Sequence, residues 1–133
     1  LGACLAGSSE LIDEAWRWKQ MMGGAMRQSG IVAAAGLYAL DHHIERLADD
    51  HARARRLAEG LAQLPGVDLD PATVETNIVI FAVPDAAAFS AALAAEDVQM
   101  SHFGPTRVRA VTHLDVDDEG IERALAVAAR ALQ

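Results

Sequence analysis

The spacing of apolar residues changes at residues 65–66, a Pro-Gly pair, and this change limits the possible folds more than any other feature of the sequence. Before this pair, apolar side chains recur every three or four positions, as they do along one face of a helix. After it, runs rich in valine and isoleucine are typical of strands, with helical segments between them. A helical first half and a mixed second half predict an α+β fold.

Three helices are predicted in the first half. The first begins at a serine pair at residues 8–9, which can cap a helix, and ends at the glycine pair at residues 23–24. Residues 31–40 are apolar on every side, which predicts a core helix buried all round. Residues 40–64 keep the helical spacing without interruption, which predicts one long amphipathic helix.

The second half is predicted to contain four strands and two helices. The strands cover residues 67–69, 74–83, 98–102 and 108–112. One helix, over residues 86–95, follows Pro84-Asp85, and the last is capped by Asp115 or Asp117. This order predicts a small, mostly antiparallel sheet with helices on one side.

Composition excludes several classes of partner. A chain of 133 residues with 52% hydrophobic residues can bury a core, so disorder is not expected. A net charge of -8 would repel nucleic acids and anionic lipids. The longest apolar run, residues 31–40, is about half the ~20 residues of a membrane span, so we expect no membrane partner.

The single cysteine, Cys4, fits a reducing cytoplasm. Without an initiator methionine or signal peptide, the chain is expected to continue a longer polypeptide.

Two arginine-containing segments are candidate anion sites. Arg27 follows two glycines between predicted helices, where exposed backbone amides and a guanidinium could hold a phosphate. The alternative is an ordinary helix break with a solvated arginine. Arg107 and Arg109 are two apart in a predicted strand and so share one side of the sheet, where they could bind a carboxylate. The alternative is an exposed face on which both arginines pair with nearby acids.

Histidines and the one lysine give weaker indications. His42, His43 and His51 do not have the spacing of a zinc site, so we predict no metal. His113 follows a strand and is predicted to be a hydrogen-bonding residue at the strand end rather than a catalyst. Lys19 is the only lysine, so it would have to form any Schiff base in this chain. Because it lies within a predicted helix, we assign it to the surface or to phosphate contact.

Several short segments, in this order, resemble the threonine aldolase family. They are residues 5–7 (LAG), 17–19 (RWK), 23–30 (GGAMRQSG), 39–40 (AL), 46–51 (RLADDH), 76–79 (TNIV) and 108–115 (VRAVTHLD). The similarity spans nearly the whole chain. It implies the C-terminal part of a fold-type-I transferase-like enzyme dependent on pyridoxal 5'-phosphate (PLP), a homodimer or homotetramer that cleaves β-hydroxy-α-amino acids such as threonine to glycine and an aldehyde.

The resemblance also implies roles for individual residues. The lysine that holds the cofactor lies before Leu1 in this family, so the chain alone is expected to be inactive and to contain no catalytic residue. Arg109 matches the arginine that binds the substrate carboxylate, with Arg107 beside it, and Arg27 matches one that reaches the cofactor phosphate, often across a subunit interface. The sequence departs from the family at Lys19 and Gln20, where arginine and lysine, respectively, are common.

The implied domain organisation has three parts. Residues 1–40 end the cofactor-binding large domain, residues 41–64 form a connecting helix, and residues 65–133 form the α+β small domain. Two other functions stay open: a non-catalytic module for dimerisation or carboxylate binding, and a related PLP-dependent lyase or aminotransferase with the same architecture.

Overall fold

The computed structural model describes residues 3–133, which fall into two compact units with their boundary between Glu45 and Arg46. The first unit is helical, and the second contains both helices and a sheet. Among the described residues, no helix combines the length and the apolar character needed to span a membrane.

Two helices make up the first unit: α1 spans Ser9–Met21 and α2 spans Gly30–His42. The Ser8 hydroxyl accepts a hydrogen bond from the Leu11 amide at 3.3 Å, as the predicted serine cap requires. Gly23 follows α1 with a φ of 73°, a left-handed conformation that glycine adopts without strain. Both predicted helices are therefore confirmed. The first unit by itself does not form the core expected around residues 31–40, because no residue of α2 is buried.

The prediction of a single long helix over residues 40–64 is wrong. The chain makes a turn over residues 43–46 between α2 and α3, and α3 spans Leu47–Leu61. Histidine and isoleucine, which occupy this turn, are weaker helix formers than alanine or leucine. Asp49 and Asp50 lie in the first turn of α3, where the helix dipole favours carboxylates. The acidic pair therefore marks a new helix start that the spacing of apolar residues did not reveal.

The second unit alternates helices and strands. After α3 come a 3-10 turn at Pro71–Thr73, β1 at Ile78–Ala82, α4 at Ala86–Ala94, β2 at Ser101–Phe103, β3 at Arg107–Val111 and α5 at Asp118–Ala131. The side chains of Asp85 and Asp117 cap α4 and α5 by accepting hydrogen bonds from Ala88 and Gly120 amides. Of the two capping candidates for the last helix, the structure selects Asp117.

The three strands form one antiparallel sheet in the order β1-β3-β2, with β3 in the centre. Ala110 pairs with Val79 of β1, and Arg109 pairs with Ser101 of β2. Because β1 and β2 are joined through α4 while β3 lies between them, the connection is a split β-α-β unit. The predicted α+β class with a mostly antiparallel sheet is confirmed.

Helices cover one face of this sheet. Alternate residues of β1 and β3 point to that face and are buried: Val79, Phe81, Val108 and Ala110. They pack with buried residues of α3, α4 and α5 in one hydrophobic cluster. At its centre the Phe81 and Phe89 rings meet edge to face, with centroids 5.9 Å apart.

The fourth strand, predicted over residues 67–69, is reduced to one bridge. Asp68 and Ala82 exchange two backbone hydrogen bonds, of 2.9 and 3.0 Å, and the ladder stops there. The Asp70 side chain accepts a hydrogen bond from the Ala72 amide, and Pro71 has no amide to donate to a neighbour. This turn chemistry diverts the chain after one pair of residues.

Candidate functional site at the open sheet face

The face of the sheet opposite the helices is exposed and carries both arginines predicted as a pair. This surface, the open sheet face, consists of Ile78, Ile80, Ser101, Phe103, Arg107, Arg109 and Val111. Its four large apolar residues are between 39% and 43% exposed. A sheet face that mixes half-covered apolar side chains with arginines is typical of a surface that contacts a ligand or another domain. The prediction that Arg107 and Arg109 share one side is confirmed.

The two arginines have different surroundings. The Arg107 guanidinium carbon lies 5.2 Å from the centre of the Phe103 ring, a cation–π contact that holds this side chain along the sheet. Within residues 3–133, neither Arg107 nor Arg109 forms a salt bridge, whereas Arg46, Arg53 and Arg130 each pair with a carboxylate. The alternative, in which both arginines pair with nearby acids, is therefore wrong for the described residues. Arg109 is available to an anionic ligand.

Arg109 also lines a depression of about 460 Å³ at the β2 side of the sheet. The other lining residues are Ser90, Ala94, Gln99, Met100, Ser101, Val111 and His113. The depression forms because β2 is short: its first residue, Ser101, pairs with Arg109, and the chain before Ser101 leaves the ladder. The end of β3 therefore has a strand neighbour on the β1 side alone.

This unpaired edge presents main-chain groups to the depression. Thr112 directs its amide to the Asn77 carbonyl at 2.9 Å and accepts from the Asn77 side-chain amide at 2.7 Å, both on the β1 side. Successive residues of an antiparallel strand direct their main-chain groups to opposite sides, so those of Val111 face the depression. The Val111 amide and the Arg109 guanidinium, from two residues that line the same depression, are both donors from which a carboxylate or phosphate accepts.

A buried polar network fixes the same end of β3 to α3. The Thr112 hydroxyl donates to the Asp50 carbonyl at 2.7 Å, and both residues are at most 2% exposed. The Asp50 carboxylate accepts two hydrogen bonds from the Arg46 guanidinium, at 2.7 and 2.9 Å. These bonds outweigh the desolvation of the carboxylate and lower the pKa of Asp50, while the pKa of Arg46 is raised. The strand end that carries the depression is therefore rigidly held.

His113 also lines the depression. Its Nδ1 accepts a hydrogen bond from the Asp115 amide at 3.3 Å, as expected for a hydrogen-bonding residue at a strand end. Sequence reasoning did not place His113 next to Arg109, although extending the alternation 109, 111, 113 would have done so. Gln99 and Ser101 were also missed, because their positions depend on the register of β2, which no local pattern specifies.

The predicted cofactor contacts belong to the first unit. Lys19 lies in the last turn of α1, with its ammonium 5.1 Å from the centre of the Trp16 ring, and its carbonyl accepts from the Gly24 amide. Arg27 lies in the exposed turn between α1 and α2. Their contact with a cofactor stays a prediction. Among the described residues, no three His, Cys, Asp or Glu side chains are grouped as a metal site requires.

Residues 1–84 match the family model for beta-eliminating lyases, and the chain belongs to this family. It is 41% identical over 121 residues to the low specificity L-threonine aldolase of Escherichia coli K12, covering 90% of this chain and 35% of that protein. It is 37% identical to the probable low-specificity L-threonine aldolase 2 of Arabidopsis thaliana, covering 94% and 37%. The resemblance to threonine aldolases is thus confirmed. The chain spans little more than a third of the length of these curated relatives.

Solved structures agree with this assignment. The cystine C-S lyase C-DES, in complex with its product cysteine persulfide, is 27% identical, with a TM-score of 0.61, over 76% of this chain and 28% of that chain. The Sphingomonas wittichii serine palmitoyltransferase has a TM-score of 0.63 at 23% identity, over 74% and 27%, and shows the shared fold alone.

Proposed function

We propose that this chain is the C-terminal part of a PLP-dependent aldehyde-lyase that cleaves threonine and allo-threonine to glycine and an aldehyde, and that Arg109 binds the substrate carboxylate. One observation carries the proposal: Arg109 has no carboxylate partner among residues 3–133 and lines a depression beside an unpaired strand edge. A guanidinium fork matches the two oxygens of a carboxylate, and main-chain amides are further donors that a carboxylate accepts from. The names of the E. coli and Arabidopsis relatives support this reaction.

Arg107 has a secondary role in this proposal. Its guanidinium lies against the ring of Phe103, whose strand β2 pairs with β3 as far as Arg109 and not at Val111. We infer that it adds positive potential to the open sheet face without contacting the substrate carboxylate.

The cofactor proposed is PLP, supported by the C-DES mutant whose glycine is covalently linked to its PLP cofactor. When bound, PLP supplies the electron sink for cleavage of the Cα–Cβ bond. Arg27 fits a contact to the phosphate, because it lies exposed in a turn between two helices. Lys19 does not fit the covalent attachment, because its ammonium packs against Trp16 at the end of a helix. We therefore assign the attachment lysine to the polypeptide that precedes this chain and expect no turnover from the chain alone.

Domain organisation and assembly are also proposals. We keep residues 1–40 as the end of the large domain and residues 65–133 as the small domain, and the compact unit that begins at Arg46 adds α3 to the latter. The exposed apolar side chains of the first unit, such as Ile31 at 77%, support a homodimer or homotetramer. The exposed thiol of Cys4 supports a cytoplasmic location.

Arg109→Ala in the full-length holoenzyme tests the carboxylate site. Loss of a charge-assisted contact is expected to raise the KM for threonine about 10- to 100-fold, with cofactor absorbance unchanged. Arg107→Ala is the matched control, because it removes the same charge from the same sheet face, and a smaller change is expected. An unaltered KM in Arg109→Ala would contradict the proposal.

A second candidate reaction is β-elimination at a sulfur-bearing substrate. Membership in the beta-eliminating lyase family and the likeness to a cystine C-S lyase favour it. Assays of the full-length enzyme with threonine and with cystine separate the two reactions, and faster turnover of cystine would replace the first proposal by the second.

A further inference from the structure

Thr112 occupies a core position at the end of β3. Val108 and Ala110, the preceding residues on the same side of the strand, belong to the hydrophobic core, and Thr112 itself is 1% exposed. Valine has a similar shape and also favours strands, whereas a hydroxyl removed from water costs free energy unless it is hydrogen-bonded. The hydrogen bond, rather than the volume of the side chain, therefore distinguishes threonine from an apolar residue at this position.

The acceptor of this hydrogen bond is held in place by an ion pair. The Thr112 hydroxyl donates to the Asp50 main-chain carbonyl at 2.7 Å, and Asp50 is 2% exposed. The other buried residues of α3 are alanine and leucine. The Asp50 carboxylate accepts hydrogen bonds from both terminal nitrogens of Arg46. Since replacing a buried ion pair by apolar residues is often neutral or stabilising, stability alone does not explain why a charge occupies this position.

The bond between Thr112 and Asp50 holds a part of β3 that lacks a strand on one side. β2 pairs with β3 as far as Arg109, and the residues beyond it have a strand neighbour on the β1 side alone. Thr112 makes two contacts with Asn77 on that side, through its amide and its carbonyl. Its hydroxyl adds a third attachment, to α3, directly after Val111. The strand end is thus held within the sheet by Asn77 and perpendicular to the sheet by Asp50.

We propose that Thr112 is a positioning residue of the carboxylate site. Its hydrogen bond to Asp50 fixes the end of β3 from which the Arg109 guanidinium and the Val111 amide bind the substrate carboxylate, and Arg46 acts one step further away by fixing Asp50. The inference rests on the carboxylate role proposed for Arg109. Thr112 acts through these groups rather than on the substrate, because it faces the core and does not line the depression.

Thr112→Val in the full-length holoenzyme tests this role, because it removes the hydroxyl and keeps the branched shape. A displaced strand end weakens binding of the carboxylate equally before and during the reaction. The KM for threonine is therefore expected to rise about two- to tenfold, the effect of one hydrogen bond, while kcat and cofactor absorbance stay unchanged. Thr112→Ser keeps the hydroxyl and is expected to retain a KM close to that of the parent enzyme.

Thr73→Val is the matched control. The Thr73 hydroxyl also donates to a main-chain carbonyl at 2.7 Å, that of Asp70, but Thr73 lies in the 3-10 turn before β1 and outside the sheet. This variant is expected to change neither KM nor kcat. Should Thr112→Val fail to fold, Thr112→Cys, whose thiol is a weak donor, replaces it. An unchanged KM in the variant that folds would overturn the inference, as would an equal rise in Thr112→Ser.

Combining Thr112→Val with Arg109→Ala separates positioning from a general loss of stability. If Thr112 acts through Arg109, the double variant is expected to have the same KM as Arg109→Ala alone, because the group to be positioned is gone. If the two increases in KM multiply, Thr112 acts independently of Arg109 and the inference is overturned, while the carboxylate proposal stands. If Arg109→Ala leaves KM unaltered, the carboxylate proposal fails, and the inference about Thr112 fails with it.

Discussion

Helices α2 and α5 have similar lengths but opposite relations to the rest of the chain. α2 is apolar on every side and buries none of its 13 residues, whereas α5 is half polar and buries Ile121, Ala124, Val127 and Ala128. An apolar stripe is covered by one neighbouring layer, which the second unit supplies from α3 and α4. A helix that is apolar all round needs neighbours on several sides, and the first unit supplies none. Apolar content thus shows that α2 needs cover, and the first unit by itself buries none of its residues.

The largest expected effect is on self-association. The chain of 133 residues, made alone, is expected to aggregate or form swapped dimers, because α1 and α2 expose residues such as Met22 at 81% and Ile31 at 77%. A shorter chain, Arg46–Gln133, has its own core and is expected to be monomeric. Light scattering on both chains makes the comparison. A monodisperse monomer of the longer chain would show that α2 is covered from within.

The next effect compares one leucine from each region. Leu61 of α3 is fully buried, so Leu61→Ala is expected to lower the free energy of unfolding of the second unit by about 2–5 kcal/mol. Leu37 of α2 is 62% exposed, so Leu37→Ala is expected to change it by less than about 0.5 kcal/mol. Urea denaturation of the 133-residue chain, diluted until light scattering detects no association, gives both values. If both substitutions lowered the free energy of unfolding equally, the contrast between the two units would be contradicted. If Leu37→Ala lowered it more in the full-length protein than in this chain, α2 would be covered by residues of the full-length protein that this chain lacks.

The smallest effect is a pH dependence confined to the second region. Arg46 lowers the pKa of Asp50 in the folded chain below its value in the unfolded chain. The pair therefore stabilises the fold above about pH 4, and this contribution is lost as the pH falls through the lower, folded pKa. Asp50→Asn is expected to lower stability at pH 7 and to approach the parent chain below about pH 4.

Unfolding measured from pH 7 to pH 3 tests this expectation. Asp49→Asn is the control, because the neighbouring carboxylate is exposed. A constant difference between Asp50→Asn and the parent chain across this range would refute the assigned role of Asp50.

Local signals in the sequence predicted local structure well. Ser8 and Asp117 were among the predicted capping candidates, and the pair that contains Asp85 was predicted to start a helix, because a cap bonds to amides within three residues of itself. The break at residues 43–46 was missed because the apolar spacing continues across it. The burial of Asp50 after the break is a tertiary feature, since its carbonyl accepts a hydrogen bond from Thr112. Residues 67–69 have the composition of a strand, but pairing stops where the turn at Asp70 begins.

The part of the candidate site that lies on β3 could be predicted, because it depends on local signals, and the part contributed by other elements could not. Alternation along one strand placed Arg107 and Arg109 on a common side, since it depends on nothing outside β3. The contact of Arg107 with Phe103 and the approach of Gln99 depend on how β2 pairs with β3, which is set by the turn at Gly104 rather than by either strand. The residues that line the depression from β2 and α4 could therefore not be named from the sequence.

The central position of β3 has a consequence for how this protein can vary in length. Val108, Ala110 and Thr112 face inwards, while Arg109, Val111 and His113 line the depression, so one strand serves two surfaces in strict alternation. Inserting or deleting one residue would exchange the two sets, burying a guanidinium and exposing the core together. A single substitution in β3 changes one side chain and leaves this alternation intact. An insertion leaves the alternation intact if it falls in the turn at Gly104, where the chain bends with a φ of 69°.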